Sequence, residues 1–318
     1  SATSAMRRLI VAQVNDNIAP TEVGKLVLVS SVALAKSIGG QGSMLASMYE
    51  TFRKADPIGE IWCLPLHNTE GAIAKGVLTL TGTATQAGML NLYVGGVRVQ
   101  ATVVNGATAA QAPTALAQKI NATADLPVSA AAAEGVVTLN AKWTGDSGND
   151  ISLQFNRLGK SNGEETPAGL TSAISAMIGG AGVPDQIAAV AALGDEPFEF
   201  IALPWSDLAT LNTWQAVMDD STGRWSWAKQ LFGHVYSAKR GTVGTLVAAG
   251  QARNDQHMTI QALEPGVPQP VWVQAAALAA RTAVFISADA SRPTQSGSLP
   301  GVDPAPASER FTLTERQS

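Results

Sequence analysis

The sequence SMLASMYETFRKADPIGEIWCLPL, residues 43–66, predicts a helix followed by a strand. Ser43 can cap the helix, and the apolar side chains that follow recur on one helical face: Met44, Leu45, Met48, Tyr49 and Phe52. Asp56-Pro57 ends this helix, because the residue before a proline is disfavoured in the helical region. Residues 60–66 form the strand, and the apolar run at residues 26–30 predicts a buried strand before the helix. A strand, a helix and a strand at this spacing indicate a βαβ unit in a parallel sheet.

The same alternation of strands and helices returns after residue 184. Pro184 opens a predicted helix that places Ile187, Val190 and Leu193 inward. Ser206 is the predicted cap of a second helix, whose apolar stripe consists of Leu208, Leu211, Trp214 and Val217. Strands are predicted at 198–203, 231–237 and 258–263, and helices at 242–253 and 272–286. Because a parallel sheet needs both faces covered, the fold class predicted is an α/β three-layer sandwich.

Between these two parts the pattern becomes β-rich. Strands are predicted at 77–81, 90–94, 97–103, 136–141 and 151–155, with an Ala-rich helix at 108–122. Gly95-Gly96 is a hairpin signal, since both turn positions need positive φ. Residues 159–168 have the composition of a linker. The sequence therefore predicts a core domain built from two discontinuous parts, 1–75 and 167–290, with an inserted α+β, β-rich module at 76–166.

Residues 291–308 are polar and rich in proline and serine, which predicts an extended crossing segment or a disordered tail. The mixed stretch FTLTER follows at 311–316. We treat 291–318 as one segment of its own.

Composition argues against several classes of protein. Net charge is −4 and no basic block occurs, which disfavours direct nucleic-acid binding. The N-terminus, Ser1-Ala2-Thr3-Ser4, has no signal pattern, and no uninterrupted apolar run has the length of a membrane span, about 20 residues. The one cysteine, Cys63, lies in an apolar run and is predicted to be a small buried side chain.

Two glycine-containing motifs are candidates for catalysis or phosphate binding. Gly39-Gly40-Gln41-Gly42 lies between a strand and a helix, as a phosphate loop would, but lacks the Lys-Ser/Thr that a P-loop needs. A tight turn with a helix cap explains it. Gly145-Asp146-Ser147-Gly148 resembles the sequence around a serine-protease nucleophile, but no histidine stands in the context of a base. We interpret it as a polar loop.

Metal and ligand candidates are equally unspecific. Asp146, Asn149 and Asp150 offer oxygen ligands without EF-hand spacing, and His67, His234 and His257 are widely separated. Asp219-Asp220 is typical of a solvated turn. Trp225 and Trp227 are two residues apart and are predicted to share one face of an extended segment, where they would pack in the core or in an interface. We assign no catalytic, cofactor-binding or metal-binding residue.

Four stretches resemble the tail sheath proteins of Mu-like contractile phages. They are GGQGSMLA at 39–46 continuing to EIWCLP at 60–65, GTAT at 82–85 continuing to LYVGGVR at 92–98, FEFIALPW at 198–205, and LPGV at 299–302 with FTLTER at 311–316. The resemblance implies a non-enzymatic structural subunit without cofactors, which forms hexameric rings stacked helically around a tail tube. Contraction of this sheath would drive the tube through the host envelope for genome delivery.

The resemblance also implies partners and a location. Copies of the chain, the tail tube protein, the baseplate and the tail terminator would be partners, in a virion tail assembled in the host cytoplasm, with no membrane insertion. Sheath proteins carry an N-terminal arm and a C-terminal domain that join neighbouring subunits. We expect this chain to be a fragment lacking both, and so to be mostly monomeric.

Two other functions stay open at this point. One is a different phage-derived assembly or surface-adhesion module that acts through the β-rich insert. The other is an enzyme on a three-layer α/β scaffold, because folds of this class host many activities.

Overall fold

A mixed α/β architecture is seen in the computed structural model, which describes residues 6–68, 70–291, 294 and 297–317. The strands are β1 Arg8–Gln13, β2 Val27–Leu28, β3 Ile61–Leu66, β4 Ile73–Gly82, β5 Gly88–Val94, β6 Val97–Val103, β7 Val128–Ala133, β8 Val136–Thr144, β9 Leu153–Phe155, β10 Leu170–Ile178, β11 Phe200–Ala202, β12 His234–Arg240 and β13 Met258–Leu263. The helices are α1 Val32–Gly39, α2 Met44–Ala55, α3 Gln111–Ala122, α4 Gln186–Ala191, α5 Leu208–Val217, α6 Val243–Gln251, α7 Val271–Ala288 and α8 Leu313–Arg316.

The core is a six-stranded sheet in the order β13-β12-β11-β1-β3-β2. All neighbouring pairs are parallel except β2 with β3. Strand β1 is central and all six of its residues are buried. Pairing of β1 with both β3 and β11 joins the two discontinuous parts of the chain in one sheet.

The first strand of the βαβ unit is not the one predicted. Instead of a buried strand at 26–30, the chain has the short edge strand β2, where Leu28 is 48% exposed. The central position belongs to β1, and α1 lies between β2 and α2, where no helix was predicted. An apolar run of five residues fits an edge strand as well as a central one, so its hydrophobicity alone could not place it.

Helix α2 confirms the prediction made from residues 43–56. The Ser43 hydroxyl accepts a hydrogen bond from the Ala46 amide at 3.0 Å, and the five apolar residues of the predicted face are all buried. Asp56 follows as the C-cap.

Helices α4 and α5 correct two details. Asp185 caps α4 and turns Gln186 and Ala189 inward, which leaves Ile187 73% exposed. Asp207, not Ser206, caps α5, and Leu208 is 68% exposed. The cap fixes which residues form the first helical turn, and successive residues of a helix differ by about 100° in direction. Farther along α5, Leu211 and Trp214 are buried as predicted.

The insert contains two antiparallel sheets, in the orders β10-β4-β8-β7 and β6-β5-β9. Gly95 and Gly96 have φ values of 56° and 85° and join β5 to β6, which confirms the predicted hairpin. Strand β7, which was not predicted, pairs with β8 across the Glu134-Gly135 turn. Strand β10 pairs with β4 and so extends this sheet beyond residue 166.

The segment 159–168 is more ordered than a linker. Its Glu164 is 3% exposed and accepts hydrogen bonds from the Tyr93 hydroxyl at 2.6 Å and from Arg98 Nη1 at 3.2 Å. The predicted linker therefore packs against the hairpin of β5 and β6.

Helix α7 is long and apolar enough to cross a membrane by length and composition, yet 61% of it is buried inside the protein, as in a core helix. Asp303, in the segment that follows α7, is tied back to Gln269 just before the helix. Gln269 Nε2 donates to Asp303 Oδ2 and the Asp303 amide donates to Gln269 Oε1, both at 2.9 Å. Of the predicted segment 291–308, Arg292, Pro293, Gln295 and Ser296 lie outside the described residues, as do Ser1 to Ala5 of the N-terminal stretch.

Candidate functional site

The carboxyl ends of parallel strands are where α/β proteins usually bind ligands, and here the insert covers the end of β1. Gln13 Nε2 donates to the Thr144 carbonyl at 2.5 Å. The Thr144 hydroxyl donates to Asp16 Oδ2 at 2.8 Å, and the Asp16 amide donates to the Lys142 carbonyl at 3.0 Å. The polar groups of Gln13 and Asp16, which would face a ligand in an enzyme of this class, are therefore hydrogen-bonded to strand β8 of the insert.

The glycine loop at 39–42 is occupied by contacts with other parts of the chain and not by a ligand site. Asn15 Nδ2 and Lys142 Nζ both donate to the Gln41 carbonyl at 3.0 Å. A Cβ at Gly42 would lie 2.1 Å from the Leu126 carbonyl oxygen, so glycine is needed for the insert to approach this closely. Burial lowers the pKa of Lys142. The loop is a close contact between core and insert, together with the predicted helix cap.

The Gly145–Gly148 motif has no catalytic geometry. Ser147 is buried, and its hydroxyl accepts a hydrogen bond from Trp143 Nε1 at 2.9 Å. Burial, and next the charge of Asp207, raise the pKa of Asp146. Ser147 therefore orients an indole ring.

Each of the three histidines has a polar partner of its own. His67 Nε2 lies 3.5 Å from Asp16 Oδ1, His234 Nε2 lies 2.8 Å from Thr259 Oγ1, and His257 Nε2 lies 2.7 Å from Asp220 Oδ1. Among the described residues, no group of three or more His, Cys, Asp or Glu side chains could hold a metal ion.

Asp150 has a different role from the cation ligand considered above: it joins the insert to the core. Its Oδ1 accepts from Arg240 Nε at 2.7 Å, and its Oδ2 accepts from the Val271 amide at 2.7 Å, at the start of α7. Arg240 also donates to the carbonyl of Gln269 at 2.8 Å. Sequence reasoning missed this contact, because Arg240 lies 90 residues from Asp150 and nothing local to either residue marks the pair.

A second contact between insert and core is aromatic. The rings of Trp143 and Trp272 meet edge to face with centroids 5.5 Å apart, and both side chains are fully buried. Trp272 Nε1 donates to Ser47 Oγ at 3.1 Å, which continues the contact to α2. The insert, α7 and α2 are thus packed against one another.

Trp225 and Trp227 do not share a face as predicted. Trp225 stacks on the ring of His257, with centroids 3.9 Å apart and planes at 9°. Trp227 points away and is 86% exposed. Their segment consists of turns rather than extended backbone, so the two-residue period does not apply.

Comparisons with known proteins agree with one another. Residues 179–318 match the family model described as phage tail sheath protein central domain. The chain is 36% identical over 298 residues to the Mu-like prophage FluMu tail sheath protein of Haemophilus influenzae, across 93% of this chain and 60% of that protein. It therefore spans less than two thirds of the length of this curated relative.

Among solved structures, the chain is similar to a sheath tail protein from Desulfitobacterium hafniense, with a TM-score of 0.37 and 16% identity over 88% of this chain and 59% of the other. It is also similar to a sheath tail protein from Listeria innocua, with a TM-score of 0.37 and 11% identity over 100% of this chain and 64% of the other.

Proposed function

We propose that this chain, whose residues 179–318 match the phage tail sheath protein central domain, is a non-enzymatic subunit of a contractile sheath. Copies polymerise around the tail tube and shift together to a shorter, wider lattice. That movement drives the tube through the host envelope for genome delivery. The observation that carries the proposal is the 36% identity over 93% of the chain, which includes both the core and the insert.

The contacts between insert and core support a rigid subunit. The Asp150–Arg240 ion pair, the Trp143–Trp272 contact and the glycine loop hold the insert on the carboxyl end of the sheet. A lattice that changes length by rotating its subunits needs bodies that do not deform, because force is otherwise lost within the subunit.

We propose a division into a three-layer core and an inserted module. Buried residues of α2 and α7, and of α4 and α5, support helical layers beside the six-stranded sheet. The core comprises 1–75 and 167–290 and the module 76–166, with β10 contributing to the module's sheet from outside those bounds. The Pro/Ser-rich part at 291–318 is a separate segment.

The partners follow from the same proposal. They are further copies in helically stacked hexameric rings, linked by terminal arms, together with the tail tube protein, the baseplate and the tail terminator. The sheath is assembled in the bacterial cytoplasm and carried in the virion tail. It makes no direct contact with nucleic acid and does not enter a membrane.

Electron microscopy tests the proposal. This sequence replaces the matching 298 residues of the Haemophilus relative, and the hybrid is expressed beside that relative. Rings or hollow tubes from both proteins are expected. If the relative polymerises and the hybrid, folded by circular dichroism, forms only compact particles, the sheath function is wrong.

A further inference from the structure

Helix α6 is unusual among the helices for having neither a charged residue nor a buried one. Beside it lies a cavity of about 780 Å³ between α6, the edge strand β13 and the C-terminal segment. Its wall is apolar at Val243, Leu246, Val247, Ala262 and Phe311, and the charged residues of the lining are Glu264, Arg310, Glu315 and Arg316. We call this cavity the α6 groove. An uncharged helix beside an open apolar groove indicates a surface that another protein covers.

A second surface, at a different place in the sequence, is an exposed loop. Residues 227–232, WAKQLF, form a loop before β12, which we call the aromatic loop. Trp227 is 86% and Phe232 49% exposed, with Lys229 between them. Exposed tryptophan of this kind is enriched at the energetic centres of interfaces.

The aromatic loop is held in place from within. The Lys229 and Gln230 amides donate to the Ser226 carbonyl at 3.1 and 2.9 Å, and the Leu231 amide donates to the Arg224 carbonyl at 2.8 Å. The ring of Phe232 meets Trp225 with centroids 4.9 Å apart. A loop fixed in this way loses little conformational freedom when it binds.

We propose that the aromatic loop of one copy inserts into the α6 groove of the next copy; this rests on the sheath function proposed above. The two aromatic side chains match the apolar wall, and Lys229 between them matches the carboxylate of Glu264.

The position of the two surfaces sets the symmetry of the contact. The aromatic loop precedes β12, whereas the groove lies along β13 at the sheet edge, so the two surfaces are different. Contact between different surfaces of identical chains runs head to tail, and it either closes a ring or continues as a helix. A sheath requires this type of contact.

One loop in one groove makes a small interface. It buries less than the roughly 1,600 Å² of a standard stable complex, so a single contact is weak and becomes effective when a lattice repeats it. This agrees with the expectation that the chain is mostly monomeric in dilute solution.

Disulfide trapping tests the contact. Ala228→Cys and Val247→Cys variants of the chain are prepared separately, one with a tag that marks it by mass, and are mixed at high concentration under mild oxidation; Ala228 is exposed in the aromatic loop, and its replacement leaves Lys229 in place. The native Cys63 is buried and does not interfere. The matched control replaces Val247→Cys by Ile187→Cys, since Ile187 is exposed on α4.

We expect several-fold more mixed disulfide dimer from the 228–247 pair than from the 228–187 pair. Charge reversal gives a second readout: Lys229→Glu in one copy or Glu264→Lys in the other, added beside the cysteines, lowers the yield, and the two together restore it. Equal yields from both cysteine pairs would overturn the proposed contact. Tubes from the hybrid in electron microscopy, together with equal yields, would reject this contact and leave the sheath function standing.

Discussion

Asp150→Ala is expected to loosen the insert from the core. The substitution removes both carboxylate oxygens that pair with Arg240 and the acceptor for the Val271 amide at the start of α7. A charge-assisted hydrogen bond contributes about 1.5–3 kcal/mol and a lost helix cap costs about 0.5–2 kcal/mol. The side chains of Asp150 and Arg240 are 19% and 18% exposed, so water screens them only in part. We expect the free energy of unfolding to fall by about 2–4 kcal/mol.

Urea unfolding at pH 7, followed by circular dichroism and tryptophan fluorescence, measures this loss. Asp125→Ala is the matched control, because Asp125 also pairs across the same two parts, with Lys36 at 2.7 Å, but is 54% exposed. An exposed pair contributes about 0–1 kcal/mol. A loss for Asp150→Ala no larger than that for Asp125→Ala would refute the view that this ion pair fixes the insert.

Three further predictions concern single residues. Gly42→Ala should cost about 1–3 kcal/mol more than Gly24→Ala in urea unfolding, because both have φ of +74° but only Gly42 would place a Cβ against Leu126; equal costs would contradict this. Burial, and then the charge of His257, lower the pKa of His234 from 6.5 to about 4. The contribution of His234 to stability is therefore complete above about pH 6.5 and is lost as the pH falls toward 4. His234→Asn should lose less stability than the parent chain over that range, and an equal loss in both proteins would argue against this role of His234. Burial raises the pKa of the Cys63 thiol, so a thiol reagent at pH 8 should label it only after unfolding, and rapid labelling of the folded chain would count against its burial.

Elements with their signals inside one short stretch were predicted well. The α2 helix has its cap, its apolar face and its terminating Asp-Pro within residues 43–57, and the β5–β6 hairpin has its two glycines at the turn. Such signals depend on the conformation of neighbouring residues alone, so they need no knowledge of the rest of the chain.

Elements whose place depends on distant partners were predicted poorly. The apolar runs at 9–12 and 26–29 are both four residues long, yet the first lies in the central strand and the second gives an edge strand. Ile187 is exposed because Asp185 sets the start of α4. Local hydrophobicity determines neither the order of the strands in the sheet nor which of two adjacent residues caps a helix.

The sequence by itself determined the alternation of strands and helices, the β-rich insert, the helix caps with a single strong candidate, and a texture similar to phage tail sheath proteins. Only the tertiary structure decided that the insert covers the carboxyl end of the sheet, that Asp150 holds it there through Arg240, and that the glycine loop receives the insert rather than a phosphate. The physical reason is the range of the interactions: periodicity and capping act over a few residues, whereas these contacts join groups about 80 to 120 residues apart that meet only after the chain has folded.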